Sequence, residues 1–270
     1  METTTKITIC CITNDLYVRF TLALINSIRI NCDEKYKIVC MCVNVSSENI
    51  KRIRSFDVEV VLITKQLSTI KNMLTPDRTT LTPVWKRNKQ YGSLISEEAS
   101  YCSNSRFKLV ADHLAKSTYV LFLDVDAVVR KDLSVMLLQY SDNDITIRKT
   151  ENEGVAGRQK RLTISEPENI IYQQGVFLVK SSGKTREFYA RLSDLVMSDW
   201  KNWNADQIFF YHEIQKYNLR IGQLDSKYRD VATNPVDGGL KDSSYIWSGA
   251  WTDKYNNERY IGEYSKYKII

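Results

Sequence analysis

The chain contains no run of the roughly 18 to 20 uncharged apolar residues that a membrane-spanning helix requires. Its polar start, METTTK, lacks the basic-then-apolar order of a secretory leader. Both absences make the cytoplasm the expected compartment. No CxxC pair occurs, which argues against structural zinc, and Cys10, Cys11, Cys40 and Cys42 sit inside apolar runs where a reduced cysteine acts as a small hydrophobe. The only histidines, His113 and His212, fall in helical patterns and read as packing or surface residues. No glycine-rich phosphate loop follows the first apolar segment, and no internal repeat, low-complexity tract or linker divides the chain. The formal charge of +6 is interleaved with acids. It biases the protein toward anionic small partners and does not suggest nucleic-acid binding.

What is present is a strand-and-helix alternation over a chain with 43% hydrophobic residues and four prolines, enough for a well-filled core. KITICCIT (6–13) reads as a buried strand, 16–31 as an amphipathic helix, and 37–45 as a second strand. A short helix behind Ser46 or Ser47 and a strand at 57–63 follow, so a parallel sheet with right-handed crossovers is expected. Residues 64–103 read as loops with one short helix, 105–117 as a helix, and 119–123 as a strand. Beyond lie strands at 144–147 and 170–180 around a basic loop (148–161), then helices at 183–197 and 205–217. The last 50 residues look irregular and aromatic. One domain is expected, with a nucleotide-binding half (1–132) and an acceptor-binding half ending in a lid (133–270).

The most informative stretch is YVLFLDVDAVVRKDLS, 119–134, where Asp124 and Asp126 close a strand of apolar and aromatic residues. Two like charges at a buried strand end repel, and each favours taking up a proton. On that view either carboxylate could be removed without harm to the fold. A divalent cation resolves the conflict, and hard carboxylate oxygens suit Mn²⁺ or Mg²⁺ completed by substrate phosphates. The bland reading is a loop cap, or pairing with Arg130 and Lys131. A phosphatase of the haloacid dehalogenase type also carries two aspartates at this spacing. Its pattern opens the domain, however, whereas here more than 100 residues come first and Ala127 follows. A nucleotidyltransferase would call for the missing phosphate loop, and the intact acidic pair disfavours a non-catalytic glycan- or lipid-binding module.

SRFKLVADHLAKSTYVLFLDVDAVVRKDLS resembles the core signature of GT-A nucleotide-sugar glycosyltransferases, in particular the glycogenin and lipopolysaccharide galactosyltransferase family. ITICCITNDLYVRFTLALINSI, YQQGVFLVK and NADQIFFYHEI resemble that family's first strand, sugar-contacting strand and Asp-Gln helix start. The resemblance implies a GT-A, Rossmann-like α/β fold with a mostly parallel central sheet and helices on both faces. It also implies Mn²⁺ or Mg²⁺ on Asp124 and Asp126, a nucleotide-sugar donor, expected to be a UDP-sugar, and a glycan, glycoprotein or glycolipid acceptor.

By the same resemblance, Arg106 opens the helix before the metal strand and either pairs with phosphate or orients the acids. Val125 lies between the two aspartates in the nucleotide site, and Thr13, Asn14 and Asp15 hold base and ribose or cap a helix. Gln173, Gln174 and Gly175 replace an Asn-x-Gly sugar contact, and Asp206 and Gln207 face the reacting centre. The family's C-terminal metal-binding histidine is absent from IWSGAWTDK (246–254), leaving Asp237, Asp253 or water as third ligand and Lys254 as a diphosphate contact. Trp200, Trp203, Trp247 and Trp251 are candidates for stacking on an acceptor sugar.

Overall fold

The computed structural model describes residues 7–33, 36–69, 96–149, 171–232, 239–249 and 253–269. The first strand, β1 (Ile7–Thr13), is buried along its whole length because its alternating side chains serve two cores. Ile9 and Cys11 point to one face, where Leu22, Ile25 and Ile28 of α1 (Val18–Asn31) cover them. Cys10 and Ile12 point to the other, beneath Phe107 and Val110 of α4 (Arg106–Leu114). β2 (Lys37–Val43), α2 (Ser47–Arg54) and β3 (Glu59–Ile63) complete the first half as expected, with β3 starting two residues late.

Beyond these come β4 (Tyr119–Leu123), β5 (Ala127–Val129), α5 (Ser134–Gln139), β6 (Ile145–Lys149) and β7 (Tyr172–Lys180). Helices α6 (Gly183–Ser198) and α7 (Ala205–Ile214) and strand β8 (Ile221–Gln223) follow. The seven-stranded sheet has the order β3-β2-β1-β4-β7-β6-β8. β1 pairs in parallel with both β2 and β4, β2 with β3, and β6 with β8, whereas β7 runs antiparallel to β4 and β6. The sheet is therefore mostly parallel. Its order reverses between β1 and β4, and in open α/β sheets the carboxyl edge at such a switch point is where ligands bind.

Two helices precede β4, the short one expected within 64–103 and the one expected at 105–117. α3 (Glu97–Asn104) has a capping Ser96 side chain that accepts the Ala99 N–H at 3.1 Å, and the chain then turns at Ser105 into α4. The turn places Arg106 at the head of α4, next to Phe107, which is fully buried against Phe177, Tyr189 and Phe210 with ring centroids 6.0, 5.8 and 5.9 Å away. Opposite, Phe122 of β4 stacks on Phe177 at 5.2 Å. This aromatic block fixes where Arg106 stands relative to the end of β4. α4 ends at Leu114 and α7 at Ile214, each three residues short of the helix expected from the sequence.

The C-terminal region is more ordered than its composition suggests. β9 (Asp230–Val231) and β10 (Ile246–Ser248) join β5 in a second sheet of order β5-β10-β9, followed by α8 (Asp253–Asn256) and α9 (Glu258–Tyr267). The buried Asp230 carboxylate organises the turn between those strands, accepting from the N–H groups of Leu240 and Lys241 and from the Ser244 hydroxyl at 2.7–2.8 Å. α9 docks on α1, where Tyr264 meets Phe20 at 5.2 Å and Asn26 donates to the Tyr267 carbonyl at 3.1 Å. Among the described residues, no helix is long and apolar enough to cross a membrane. All six cysteines are free. The 84–92 segment and most of the basic loop 148–161 lie outside the described residues, as do Asp237, Trp251 and the Asp253 side chain.

Candidate active site

The carboxyl ends of β1, β4 and β7 meet where the strand order reverses. β4 ends by hydrogen-bonding the Asp124 N–H to the Gly175 carbonyl at 2.8 Å, which sets the aspartate beside β7. A side chain at 175 would begin 2.5 Å from Asp124 Oδ2, so only glycine leaves that carboxylate its space. The pairing of β7 with β6 is irregular at this height: its partner residues jump from Phe177 to Gln173 across Ile147 and Arg148. Such bulges commonly re-aim side chains beside active sites.

Arg106 is the clamp of the site. Its guanidinium, 8% exposed, donates Nε–H to the Ser103 carbonyl at 2.6 Å, Nη1 to the Gln174 carbonyl at 2.7 Å and Nη2 to the Ser103 hydroxyl at 2.6 Å. It also lies 3.3 Å from Asp206 Oδ2 and 3.8 Å from Asp124 Oδ1. Its fork is thus engaged by the protein itself while standing within ion-pair reach of both acids. Burial raises the Asp206 carboxyl to about 6, against the pull of Arg106. Asn104 fixes the start of α7: its Oδ1 accepts the Asp206 N–H at 3.1 Å, and its Nδ2 donates to the Trp200 and Asn202 carbonyls, both at 2.8 Å. Asp206 Oδ1 accepts the Gln207 N–H at 2.8 Å, so Gln207 is held at the same helix start.

Asp124 keeps 37% of its side-chain surface open to the cleft, yet the protein packed around it raises its pKa, with Asp126 adding to the rise and Arg106, Arg229 and Lys254 opposing it. Val125 is half-buried and packs on the α1-side core. Asp126 is buried and forms an ion pair with Lys254 Nζ. Its carbonyl accepts the Tyr260 hydroxyl at 2.7 Å and the Gly249 N–H at 2.8 Å. Gly249 is required there, because a Cβ would stand 2.6 Å from the Tyr260 ring. Burial disfavours the Lys254 charge, but Asp126, Tyr17 and Tyr255 hold its pKa up at about 12.

The remaining sequence candidates divide. The Thr13 hydroxyl turns inward, donating to the Asn14 carbonyl at 3.0 Å and accepting from Thr21 at 2.8 Å. Asn14 caps the turn at Tyr17 and donates to Glu98 at 3.0 Å, and Asn44 donates to the same carboxylate at 3.2 Å. Asp15 Oδ1 accepts from the Ser46 N–H, the Ser46 hydroxyl and Asn49, bonds that lower its pKa and brace the start of α2. Gln173 Oε1 pairs with Arg229, whereas Gln174 carries a buried amide without a hydrogen-bond partner. Trp247 is 1% exposed, with its indole N–H on the Lys241 carbonyl at 2.9 Å and Arg130 over its ring. That burial removes it from the acceptor-stacking candidates. Trp200 and Trp203 remain half-buried. His113 is a core residue between the Leu109 carbonyl and Glu59.

Sequence reasoning missed Glu98, Asn104 and Arg229. The first two sit in a stretch whose helical period is broken at Ser105, and Arg229 is one arginine among many, in no motif. Burial lowers the Arg229 pKa, and Asp124 counters that effect.

Asp124 and Asp126 are a fitting pair for Mn²⁺ or Mg²⁺, which take hard oxygens and are commonly held by one or two carboxylates plus substrate phosphates. No cluster of three or more potential ligands occurs among the described residues. Two protein ligands are therefore what these residues offer, and Lys254, on Asp126 Oδ2, competes with a cation for that carboxylate.

The Glycosyl transferase family 8 model matches residues 7–219. A comparison with curated proteins gives no match. Among solved structures, the chain is similar to galactosyltransferase LgtC in complex with donor and acceptor sugar analogs (TM-score 0.58, 14% identity, covering 97% of each chain). It is also similar to the bifunctional glycosyltransferase WbbM (0.56, 17%, covering 99% of this chain and 50% of that one). A third neighbour is the glycosyltransferase GlyE of Streptococcus pneumoniae TIGR4 (0.57, 14%, 98% and 61%). The chain thus spans about half of WbbM, and at these identities the likeness carries the fold. The family match runs from β1 past the Asp206 helix and takes in Arg106 and both strand-end aspartates, so this chain belongs to glycosyl transferase family 8.

Proposed function

We propose that the protein transfers a sugar from a nucleotide sugar, expected to be a UDP-sugar, to a hydroxyl of a glycan, glycoprotein or glycolipid acceptor, with Mn²⁺ or Mg²⁺ held by Asp124 and Asp126. The observation that carries this reading is the convergence of Asp124, Asp126, Arg106 and Asp206 at the sheet's switch point. The four residues come from a strand end and two helix starts, and no structural need unites three carboxylates there.

In the transfer, the bond between the anomeric carbon and the phosphate oxygen breaks, a bond to the acceptor oxygen forms, and the acceptor hydroxyl's proton leaves with the departing diphosphate. When bound, the cation supplies Lewis-acid stabilisation of the negative charge on the departing diphosphate. The chain's own residues prepare the site. Arg106 holds Asp124 and Asp206 at fixed positions, sparing the reorganisation that water would require. Asp206, ionised above about pH 6, accepts hydrogen bonds from sugar hydroxyls. Gln207, at the same helix start, and the unpartnered amide of Gln174 offer further polar contacts to the sugar. Lys254 exchanges its bond to Asp126 for a phosphate oxygen. Asn14, beside Glu98, borders the nucleoside end.

Residues 1–132 would serve the donor and 133–270 the acceptor within one catalytic unit. Six free cysteines fit a reducing cytoplasm, and disulfide-linked protein in thiol-trapped cell extracts would contradict that placement. The function is tested by measuring UDP release across a panel of UDP-sugars with Mn²⁺ present. Release from at least one donor is expected, and silence across the panel, with and without acceptor glycans, would refute the reading.

A further inference from the structure

One half-buried cation in the site has no part in the mechanism so far. Arg229 follows the short turn Ser226–Tyr228, whose cap is the Asp225 side chain. It lies beyond the residues matched to the family. Its Nη1 is held by Gln173 Oε1, and its carbonyl accepts from Arg148 Nη1 at 3.0 Å, which brings a second guanidinium up behind it. Its Nε–H is buried and has no hydrogen-bond partner. That nitrogen would be 3.0 Å from a Cβ on Gly175, the same point that lies 2.5 Å from Asp124 Oδ2. The missing side chain at 175 is thus a notch shared by the guanidinium and the strand-end carboxylate.

A buried charged donor without an acceptor is destabilising, and proteins keep few such groups unless a ligand supplies the acceptor. The guanidinium fork matches the oxygens of phosphate and carboxylate groups, and neutral hydroxyls match it less well. The charges also point to an anion. Arg106, Arg229 and Lys254 all face the Asp124 carboxylate, with Arg148 behind Arg229, so a divalent cation bound on the aspartates would leave these positive groups to be met by an anion. Resting on the donor reading above, we infer that Arg229 is a donor-binding residue: Gln173 fixes its fork, and its Nε–H meets a phosphate oxygen of the nucleotide diphosphate. Gln173 then acts through Arg229, as a positioning residue, and does not contact the sugar itself.

Calorimetric titration of UDP into the full chain with Mn²⁺ tests this. Arg229→Gln should weaken UDP binding roughly ten- to a hundredfold. Gln173→Glu keeps the side-chain size but locks the guanidinium into a full ion pair, and it should weaken UDP binding in the same direction. This second variant decides the matter if Arg229→Gln does not fold. Wild-type affinity for UDP in either folded variant would overturn the inference. A loss seen with a UDP-hexuronate but not with UDP would also overturn it, moving the guanidinium to a sugar carboxylate. Failure of the wild-type protein to bind UDP would instead refute the donor reading on which the inference rests.

Discussion

Lys254→Met removes the ammonium that now neutralises Asp126 and keeps most of the side chain's volume. Lys254 and Asp126 side chains are 8% and 12% exposed, so the variant leaves a nearly buried carboxylate unpaired, next to the Asp124 carboxylate. Breaking a buried pair in this way costs about 3 to 5 kcal/mol, and the open cleft beside Asp124 argues for the lower end. For a chain of this size, about 3 kcal/mol corresponds to a fall in Tm of roughly 6 to 12 °C. A divalent cation should then replace the lost charge. In the wild type Mn²⁺ competes with Lys254 for Asp126, whereas in the variant that carboxylate has no competing cation. Thermal unfolding in EDTA and in Mn²⁺ reads both effects: the variant should melt well below wild type in EDTA and recover a larger share of its stability when Mn²⁺ is added. Equal Tm in EDTA, or the same Mn²⁺ increment in both proteins, would refute the idea that Lys254 and the cation share Asp126.

Other expectations follow from the same geometry. Arg106→Lys keeps the charge but cannot serve the Gln174 carbonyl, Ser103 and both acids at once, so urea unfolding should report a loss of about 3 kcal/mol; an unchanged midpoint would mean the clamp is dispensable. Asp206, raised to about 6 by burial, binds its proton more tightly folded than unfolded. Its contribution to stability is therefore complete below about pH 4 and is lost as pH rises to about 6, roughly 3 kcal/mol in all. The stability of wild type relative to Asp206→Asn should fall by that amount over this window, and a pH-independent difference would contradict the assignment. Phe107→Ala opens a void under Arg106 and should cost about 3 to 5 kcal/mol; a markedly smaller loss would show that the aromatic block does not hold α4 in place.

The sheet's first half was legible because its strands and helices carry their own signals. The continuous apolar run of β1 and the three-to-four spacing of α1 require no knowledge of neighbours. The acidic pair was legible too, since charge at the end of a buried strand is anomalous in any context. Roles that depend on long-range contacts were not. Asp15 sits in a nucleotide-site motif, yet its Oδ1 braces Ser46 and Asn49, a partnership set by the packing of α2 beside α1. Trp247 resembled a sugar platform until β10 closed against β5 and buried it. Asp126 looked removable when only its repulsion with Asp124 was visible, but the tail brings Lys254 onto it from 128 positions away, so its removal would strand a buried ammonium. Arg229 reaches the site from a similarly distant turn and carries no local mark of its role.

The most direct test of the central claim is calorimetry of UDP binding, with and without Mn²⁺, in wild type and in Asp124→Asn. The asparagine keeps the shape at the Gly175 notch while removing the charge. The wild type is expected to bind UDP tightly only with Mn²⁺, and the variant to lose that Mn²⁺-dependent enhancement while unfolding at a similar temperature. Equal enhancement by Mn²⁺ in both proteins would contradict a donor site built on the strand-end aspartates.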